Sequence, residues 1–138
     1  MIFSLLQLFL FSLFCTLCGA SPLAVNGTSG TLEKRVTHTG RGTWFNAGLG
    51  ACGDEDSNDN PIVAISSQIY GSGGNCNQWM TITNTKNGKV ASGKTRDECE
   101  GCGKYDIDMS PSLFEQLGSL DTGVLSVSWH FEAKDWSP

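Results

Sequence analysis

Asp108 is the residue whose type and position most suggest acid–base chemistry, because it lies just before Ser110 and Pro111, two signals for the start of a helix. Inverting hydrolysis of a glycoside needs a protonated carboxylic acid and a second carboxylate, roughly 6.5–9.5 Å apart. A helix N-terminus favours the ionised form of a nearby carboxylate, so this position alone does not make Asp108 a good proton donor. The alternative is that Asp108 only braces the start of the helix, and both interpretations stay open.

The acidic run at residues 54–60 begins like an EF-hand calcium loop, with carboxylates and amides at alternate positions. Its sixth position is Asp59, where the EF-hand requires Gly, and its twelfth is Ile65, where it requires Glu. A solvated acidic loop is therefore the preferred interpretation. The sequence predicts no metal site and no cofactor.

Several aromatic residues are of a type that stacks on sugar rings: Trp44, Trp79, Trp129, Trp136 and Tyr70. Trp44 and Trp129 occur within strand patterns, so we expect both to pack in the core. Trp136 lies in a polar C-terminal tail, so we expect it to be the exposed one.

The N-terminus carries the pattern of a secreted protein. Residues 2–18 form an almost unbroken apolar run, and the small residues 19–21 follow it. This pattern predicts a signal peptide over residues 1–20, cleaved after Ala20. A retained membrane anchor is the alternative, because a run of about 17 apolar residues barely spans a bilayer.

Residues 21–35 form a short polar segment with a glycosylation sequon at Asn26, and they end in the basic pair Lys34-Arg35. We interpret this segment as a pro-segment that a processing protease removes. A flexible tail with no processing is the alternative. The mature protein is then residues 36–138, secreted and extracellular.

Length and charge restrict the number of domains and the kind of partner. The mature range, 36–138, suits one domain and is too short for two. The whole chain carries nine Lys and Arg against 14 Asp and Glu, a formal net charge of −5. This acidic balance argues against nucleic acid or an anionic membrane as a partner. We expect a single monomeric domain.

Four of the six cysteines remain after removal of the signal peptide: Cys52, Cys76, Cys99 and Cys102. An even number in an oxidising compartment predicts two disulfides, and spacing alone does not separate the three possible pairings. The spacing of Cys99 and Cys102 also occurs in thioredoxin-like redox sites and in zinc sites. Neither is favoured here, because the mature range has two histidines, no second such pair and no βαβ pattern around it.

Strand patterns dominate the mature range. Runs of apolar and β-branched residues lie between turn residues at 42–45, 62–65, 79–83, 89–92 and 124–131. In the last run, side chains alternate between the two faces of the strand, so four apolar residues share one face: Leu125, Val127, Trp129 and Phe131. Asn87-Gly88 between two runs predicts a β-hairpin.

One helix is predicted over residues 110–117. Ser110 suits its N-cap, Pro111 its first turn, and Gly118 its end. Its apolar stripe consists of Leu113, Phe114 and Leu117. About six short strands and one short helix indicate a mainly β fold, either a small barrel or a sandwich.

Four motifs follow one another along the mature range: GTWF at 42–45, GACG at 50–53, DECEGCG at 97–103 and DIDMSPSLF at 106–114. With GVLSVSW at 123–129, they resemble the landmarks of the RlpA-like double-psi β-barrel family, whose superfamily includes expansin first domains, barwin-like proteins and family-45 endoglucanases. The resemblance implies a six-stranded double-psi β-barrel. It also implies disulfides joining Cys52 to Cys76 and Cys99 to Cys102.

The resemblance further implies a groove containing Thr43, Trp44, Asn46, Asp97 and Asp108. Asp108 matches an Asp that hydrolytic and wall-loosening members share, Asp97 an acidic residue beside it, and Thr43 a groove threonine. Hydrolytic members carry a second Asp where this chain has Asn46, and an amide does not accept a proton from water. The chain is therefore predicted not to be an enzyme, with Asp108 the sole catalytic candidate unless Asp97 supplies the second carboxylate.

Three functions are compatible with this pattern. The favoured one is a secreted, non-hydrolytic interaction protein, such as a fungal effector that binds a host protein; protease inhibition belongs to the same class. The second is an expansin-like protein that binds or loosens cell-wall polysaccharide through Thr43, Asp97 and Asp108. The third is a lytic transglycosylase-like enzyme that works with a single Asp.

Overall fold

The computed structural model describes residues 35–138; the predicted signal peptide, the sequon and Lys34 lie outside the described residues. The strands are β1 (His38–Trp44), β2 (Ile62–Ser66), β3 (Trp79–Asn84), β4 (Val90–Cys99), β5 (Ile107–Met109) and β6 (Leu125–Phe131). The helical segments are α1 (Ser67–Tyr70), α2 (Pro111–Leu117) and a 3-10 turn (Leu120–Thr122). None of these helices has the length and apolar character needed to cross a bilayer.

The six strands close into a barrel in the order β1-β5-β2-β4-β3-β6. β1 runs parallel to β5 and β2 runs parallel to β4, while the other four neighbouring pairs are antiparallel. This closed, mixed order confirms the predicted mainly β fold with a six-stranded barrel. The sandwich that the strand patterns also allowed is excluded.

The core fills the barrel and the space beneath α2. Alternation along β6 is confirmed, since Leu125, Val127 and Trp129 are buried. The apolar stripe of α2 is fully buried as well. Burying a Leu or Phe side chain contributes about 1.5–3 kcal/mol, so this stripe fixes α2 on the barrel. Gly93 makes the close packing possible, because a Cβ there would lie 2.6 Å from a methyl carbon of Leu113.

The start of α2 differs in detail from the prediction. Ser110 occupies the N-cap position but its side chain makes no capping hydrogen bond. Instead, its hydroxyl donates to the backbone oxygen of Asn60 at 2.6 Å. Ser110 therefore ties the segment before α2 to the chain that leads into β2.

The predicted β3–β4 hairpin is confirmed by the antiparallel pairing of these strands. Gly88 has φ of 75°, a backbone conformation that glycine adopts without steric cost, and its N–H donates to the oxygen of Asn84 at 2.8 Å. The disulfides join Cys52 to Cys76 and Cys99 to Cys102, the pairing that the family resemblance implies.

Candidate functional site

A row of four paired residues crosses four neighbouring strands on the outside of the barrel. Thr43 in β1 pairs with Asp108 in β5, Asp108 pairs with Ala64 in β2, and Ala64 pairs with Asp97 in β4. Directly paired residues point to the same face of a sheet. That face is the outer one, because the residues on either side of Asp108 are buried in the core.

Asp108 is the residue of this row whose pKa is shifted. Its Oδ1 accepts a 2.9 Å hydrogen bond from the hydroxyl of Thr43. Burial raises the pKa of Asp108, and the negative charge of Asp97 adds to the rise, while hydrogen bonds from Thr43 and the Met109 backbone oppose it. The carboxyl therefore keeps its proton to a higher pH than an ordinary aspartate.

A polar groove of about 270 Å³ lies over this carboxyl. Its lining consists of Arg41, Thr43, Cys99, Gly101, Cys102, Asp106 and Asp108. The Cys99–Cys102 disulfide thus forms part of one wall. The groove offers a partner a guanidinium, a hydroxyl and two carboxyl groups.

Asp97 lies in the same row but binds the chain's own backbone. Its Oδ1 accepts hydrogen bonds of 2.8 Å from the N–H groups of Ala51 and Glu98. Ala51 belongs to the GACG segment, which also donates from Cys52 to the oxygen of Arg96. Asp97 therefore holds this loop against β4, two strands and roughly 10 Å from the backbone of Asp108.

Neither Trp44 nor Asn46 lines the groove. Trp44, at the end of β1, is 37% exposed, so its predicted place in the core is wrong. Its indole N–H donates instead to the backbone oxygen of Leu120 at 3.1 Å. Asn46 is exposed, and its side-chain oxygen accepts from the amide of Asn58 at 3.1 Å. The position expected to carry a second carboxylate is thus turned towards the acidic loop.

Arg41 and Asp106 are groove residues that the sequence interpretation missed. The backbone N–H of Arg41, in β1, donates to Oδ1 of Asp106 at 2.8 Å. This hydrogen bond joins β1 to the residue just before β5. Both residues lie two positions before a predicted groove residue, Thr43 or Asp108. Because side chains alternate along a strand, this spacing was the signal that could have identified them.

Two of the four carboxylates of the acidic loop pair with an arginine of the same chain. Arg96 makes ion pairs of 2.8 Å with both Asp54 and Asp56, and only 15% of its side chain is exposed. Across residues 35–138, no cluster of three His, Cys, Asp or Glu side chains is placed to hold a metal ion. Arg96 is the cation that Asp54 and Asp56 contact.

The remaining aromatic residues serve mainly as packing. Trp129 is buried as predicted, with its N–H donating to the oxygen of Tyr105 at 2.9 Å. Trp136 is half-buried, because it packs edge-on against Trp79 with ring centres 6.5 Å apart. The prediction that it is the exposed tryptophan is therefore wrong, and Trp44 is the exposed one. The hydroxyl of Tyr70 donates to the oxygen of Ala51 at 3.0 Å and supports the GACG loop.

Comparison with known proteins finds similarity to several barrel proteins, although no protein-family model matches the chain. The papain inhibitor of Streptomyces mobaraensis is 28% identical over 85% of this chain and 89% of its own length. The allergen Asp f 7 homolog of Arthroderma benhamiae is 32% identical over 67% of this chain and 38% of its own length. Expansin-like protein 5 of Dictyostelium discoideum is 30% identical over 78% of this chain and 44% of its own length. The chain therefore spans less than half of the last two relatives.

The solved structures that resemble the chain also include an expansin and a papain inhibitor. A Clavibacter michiganensis expansin mutant in complex with cellohexaose is 25% identical, with a TM-score of 0.66 over 75% of this chain and 54% of that one. The Streptomyces papain inhibitor is 27% identical, with a TM-score of 0.65 over 71% of this chain and 96% of that one. These similarities agree with the barrel fold of the chain.

Proposed function

Because the chain belongs to the RlpA-like double-psi β-barrel family, we propose that it is a secreted, non-hydrolytic expansin-like barrel that binds an extracellular protein through the groove around Asp108. The groove holds its partner by hydrogen bonds and does not cleave it. An effector that binds a host protein is the specific form of this proposal.

The placement of the carboxylates is the observation that carries the proposal. Asp108 lines the groove, whereas Asp97 holds the GACG loop and Asn46 contacts Asn58. The other carboxyl of the groove, Asp106, accepts hydrogen bonds from the backbone N–H groups of Arg41 and Gly103. A general base has to lie within hydrogen-bond reach of the water it activates. This arrangement favours binding over hydrolysis by two carboxylates.

A protein partner is supported by the extent of one similarity. The papain inhibitor matches this chain over nearly its whole length, whereas the matches to expansin-like proteins cover half of those proteins or less. Its name describes a protein that acts on another protein. The raised pKa of Asp108 extends to higher pH the protonated form of its carboxyl, which both donates and accepts hydrogen bonds.

An oligosaccharide is the second candidate, favoured by one structural similarity. The expansin mutant with a TM-score of 0.66 was solved in complex with cellohexaose. Hydroxyl-rich ligands need closely spaced donors and acceptors, which the groove supplies through Arg41, Thr43, Asp106 and Asp108.

The proposal is tested by calorimetric titration of the 36–138 protein with two defined probes, papain and cellohexaose. We expect papain to bind, with an affinity that falls at least tenfold in Asp108→Asn and in Thr43→Val. Asp121→Asn, an exposed acid in the 3-10 turn, is the matched control and is expected to bind as the wild type does.

Binding of cellohexaose alone, weakened by the same groove variants, would favour the oligosaccharide candidate. Binding of papain that is equal in all variants would place the interface elsewhere on the barrel and contradict the assignment to the groove.

A further inference from the structure

Glu132, one residue beyond β6, is a nearly buried carboxylate that the groove does not use; its side chain is 4% exposed. Its Oε1 accepts a 2.6 Å hydrogen bond from the hydroxyl of Thr81 and lies 3.1 Å from Nε2 of His130. Its Oε2 accepts no well-aligned hydrogen bond from any residue of the described range, but it lies 3.0 Å from a guanidinium nitrogen of Arg35. Arg35 is therefore the cation closest to the less satisfied oxygen.

The surroundings of Glu132 keep it ionised. Burial alone would raise its pKa, but the hydrogen bond from Thr81, the charge of Arg35 and the contact with His130 outweigh burial and lower the pKa. A buried carboxylate that loses its cationic partner becomes strongly unfavourable, because the remaining charge is neither solvated nor paired. The protein therefore needs a positive charge at this point.

The strand register explains why Arg35 meets Glu132. β1 pairs with β6 in antiparallel fashion, from Gly42 opposite Leu125 to His38 opposite Trp129. Extending this register towards the N-terminus sets Arg35 opposite Glu132, with Val36 one position nearer to β1. Residues opposite each other in an antiparallel pair have Cβ atoms about 4.5–5.5 Å apart.

Arg35 is also the last residue of the predicted pro-segment, in the one adjacent pair of basic residues in the chain. Cleavage after Arg35 removes the guanidinium from Glu132. Hydrolysis of the Arg35–Val36 peptide bond by water leaves a carboxylate on Arg35 and creates an ammonium group on Val36. The new positive charge forms one residue away from the charge that is lost.

We propose that this cleavage exchanges the partner of Glu132: the α-ammonium group of Val36 replaces the Arg35 guanidinium beside Oε2. The mature N-terminus is then a structural group of the barrel. Val36 is 68% exposed and lies outside β1, which begins at His38, so no strand pairing fixes its backbone. This exchange rests on the predicted cleavage and is independent of what the groove binds.

The test compares the 21–138 protein, intact and after cleavage by a protease specific for paired basic residues, in thermal unfolding. We expect the cleaved protein to keep the Tm of the intact one to within about two degrees. Intact Arg35→Gln, which loses the guanidinium without creating an ammonium group, should lose several degrees at this size of domain. A mature protein whose Val36 amino group is acetylated, and which therefore lacks the new charge, should lose a similar amount.

The second readout is the pKa of the Val36 amino group, followed by NMR. We expect it to lie above the ordinary range of about 7.7–8.0 and to return to that range in Glu132→Gln, which retains an acceptor for Thr81. If Glu132→Gln does not fold, the Tm of the protein acetylated at Val36 decides the test, and a Tm equal to that of the unmodified mature protein overturns the exchange. A cleaved protein as unstable as intact Arg35→Gln, or an amino pKa in the ordinary range, would overturn the exchange.

Discussion

Thr43 donates a 2.9 Å hydrogen bond to Asp108 across the parallel pair of β1 and β5, and the two residues are direct register partners. The contact therefore depends on the barrel closing in this strand order. It sets both the orientation of the Asp108 carboxyl and its affinity for a proton. It is the centre of the candidate groove.

Removing this hydrogen bond should raise the pKa of Asp108 further. The bond favours the ionised carboxylate and so opposes the effect of burial. We expect Thr43→Val to raise the pKa above the wild-type value, whereas Thr43→Ser, which keeps the hydroxyl, should leave it close to wild type. Carboxyl NMR titration measures all three proteins, and equal pKa values in the valine and serine variants would contradict this role of Thr43.

The raised pKa of Asp108 also predicts how stability depends on pH. A carboxyl whose folded pKa is raised contributes stability that is fully present below its ordinary value of 3.8 and is lost as pH rises through the folded pKa. The amide introduced by Asp108→Asn does not titrate, so the Tm of this variant relative to wild type should increase from acid to neutral pH. Thermal unfolding between pH 3 and 8 (about one-unit steps) measures this. A constant difference would mean that Asp108 is not buried as described.

The GACG loop should not tolerate a side chain at its first glycine. A Cβ on Gly50 would lie 2.3 Å from the backbone oxygen of Arg96, so the loop would have to leave β4. We expect Gly50→Ala to lower the free energy of unfolding by about 1–3 kcal/mol, the usual cost of overpacking.

Gly48→Ala is the matched control for this substitution, because nothing lies within 4 Å of a Cβ at that position. Urea unfolding of both variants tests the contact. Equal free energies of unfolding would show that the loop is not held against β4.

Arg96 should stabilise the acidic loop without calcium. Replacing it with Met leaves Asp56, whose side chain is 11% exposed, without its cation. We expect Arg96→Met to cost about 1.5–3 kcal/mol, the range for hydrogen bonds to charged groups. Lys89→Met, at an exposed lysine, should cost little.

The wild-type protein tests the calcium alternative. Calcium should not change the Tm of the wild type, because Arg96 already pairs with Asp54 and Asp56. A calcium-dependent rise in the wild-type Tm would contradict this account of the loop.

The sequence predicted the strands and helices whose apolar residues recur at a regular spacing and so form one buried face. β6 alternates over seven residues and α2 carries a continuous apolar stripe, so both were found. β5 has three residues, Ile107–Met109, and becomes a strand only because β1 and β2 pair with it on both sides. Such a strand has too little local pattern to be predicted by itself.

The candidate site was predicted only in part, for the same reason. The motifs identified Thr43 and Asp108 as site residues. The contacts of Asp97 were not predicted, because they depend on a loop residue, Ala51, that lies 46 positions away in the chain. Trp44 has the pattern of a core residue, yet it ends β1 and contacts the 3-10 turn at Leu120. Long-range register, which composition does not encode, determines these contacts.

Mass spectrometry of soluble products is the most direct test of whether the groove binds its partner without cleaving it. The 36–138 protein and its Asp108→Asn variant would each be incubated with cellulose, chitin and peptidoglycan. We predict no oligosaccharide or muropeptide release by the wild type above the level of the variant. Products released by the wild type and absent with Asp108→Asn would contradict the account and identify Asp108 as a catalytic acid.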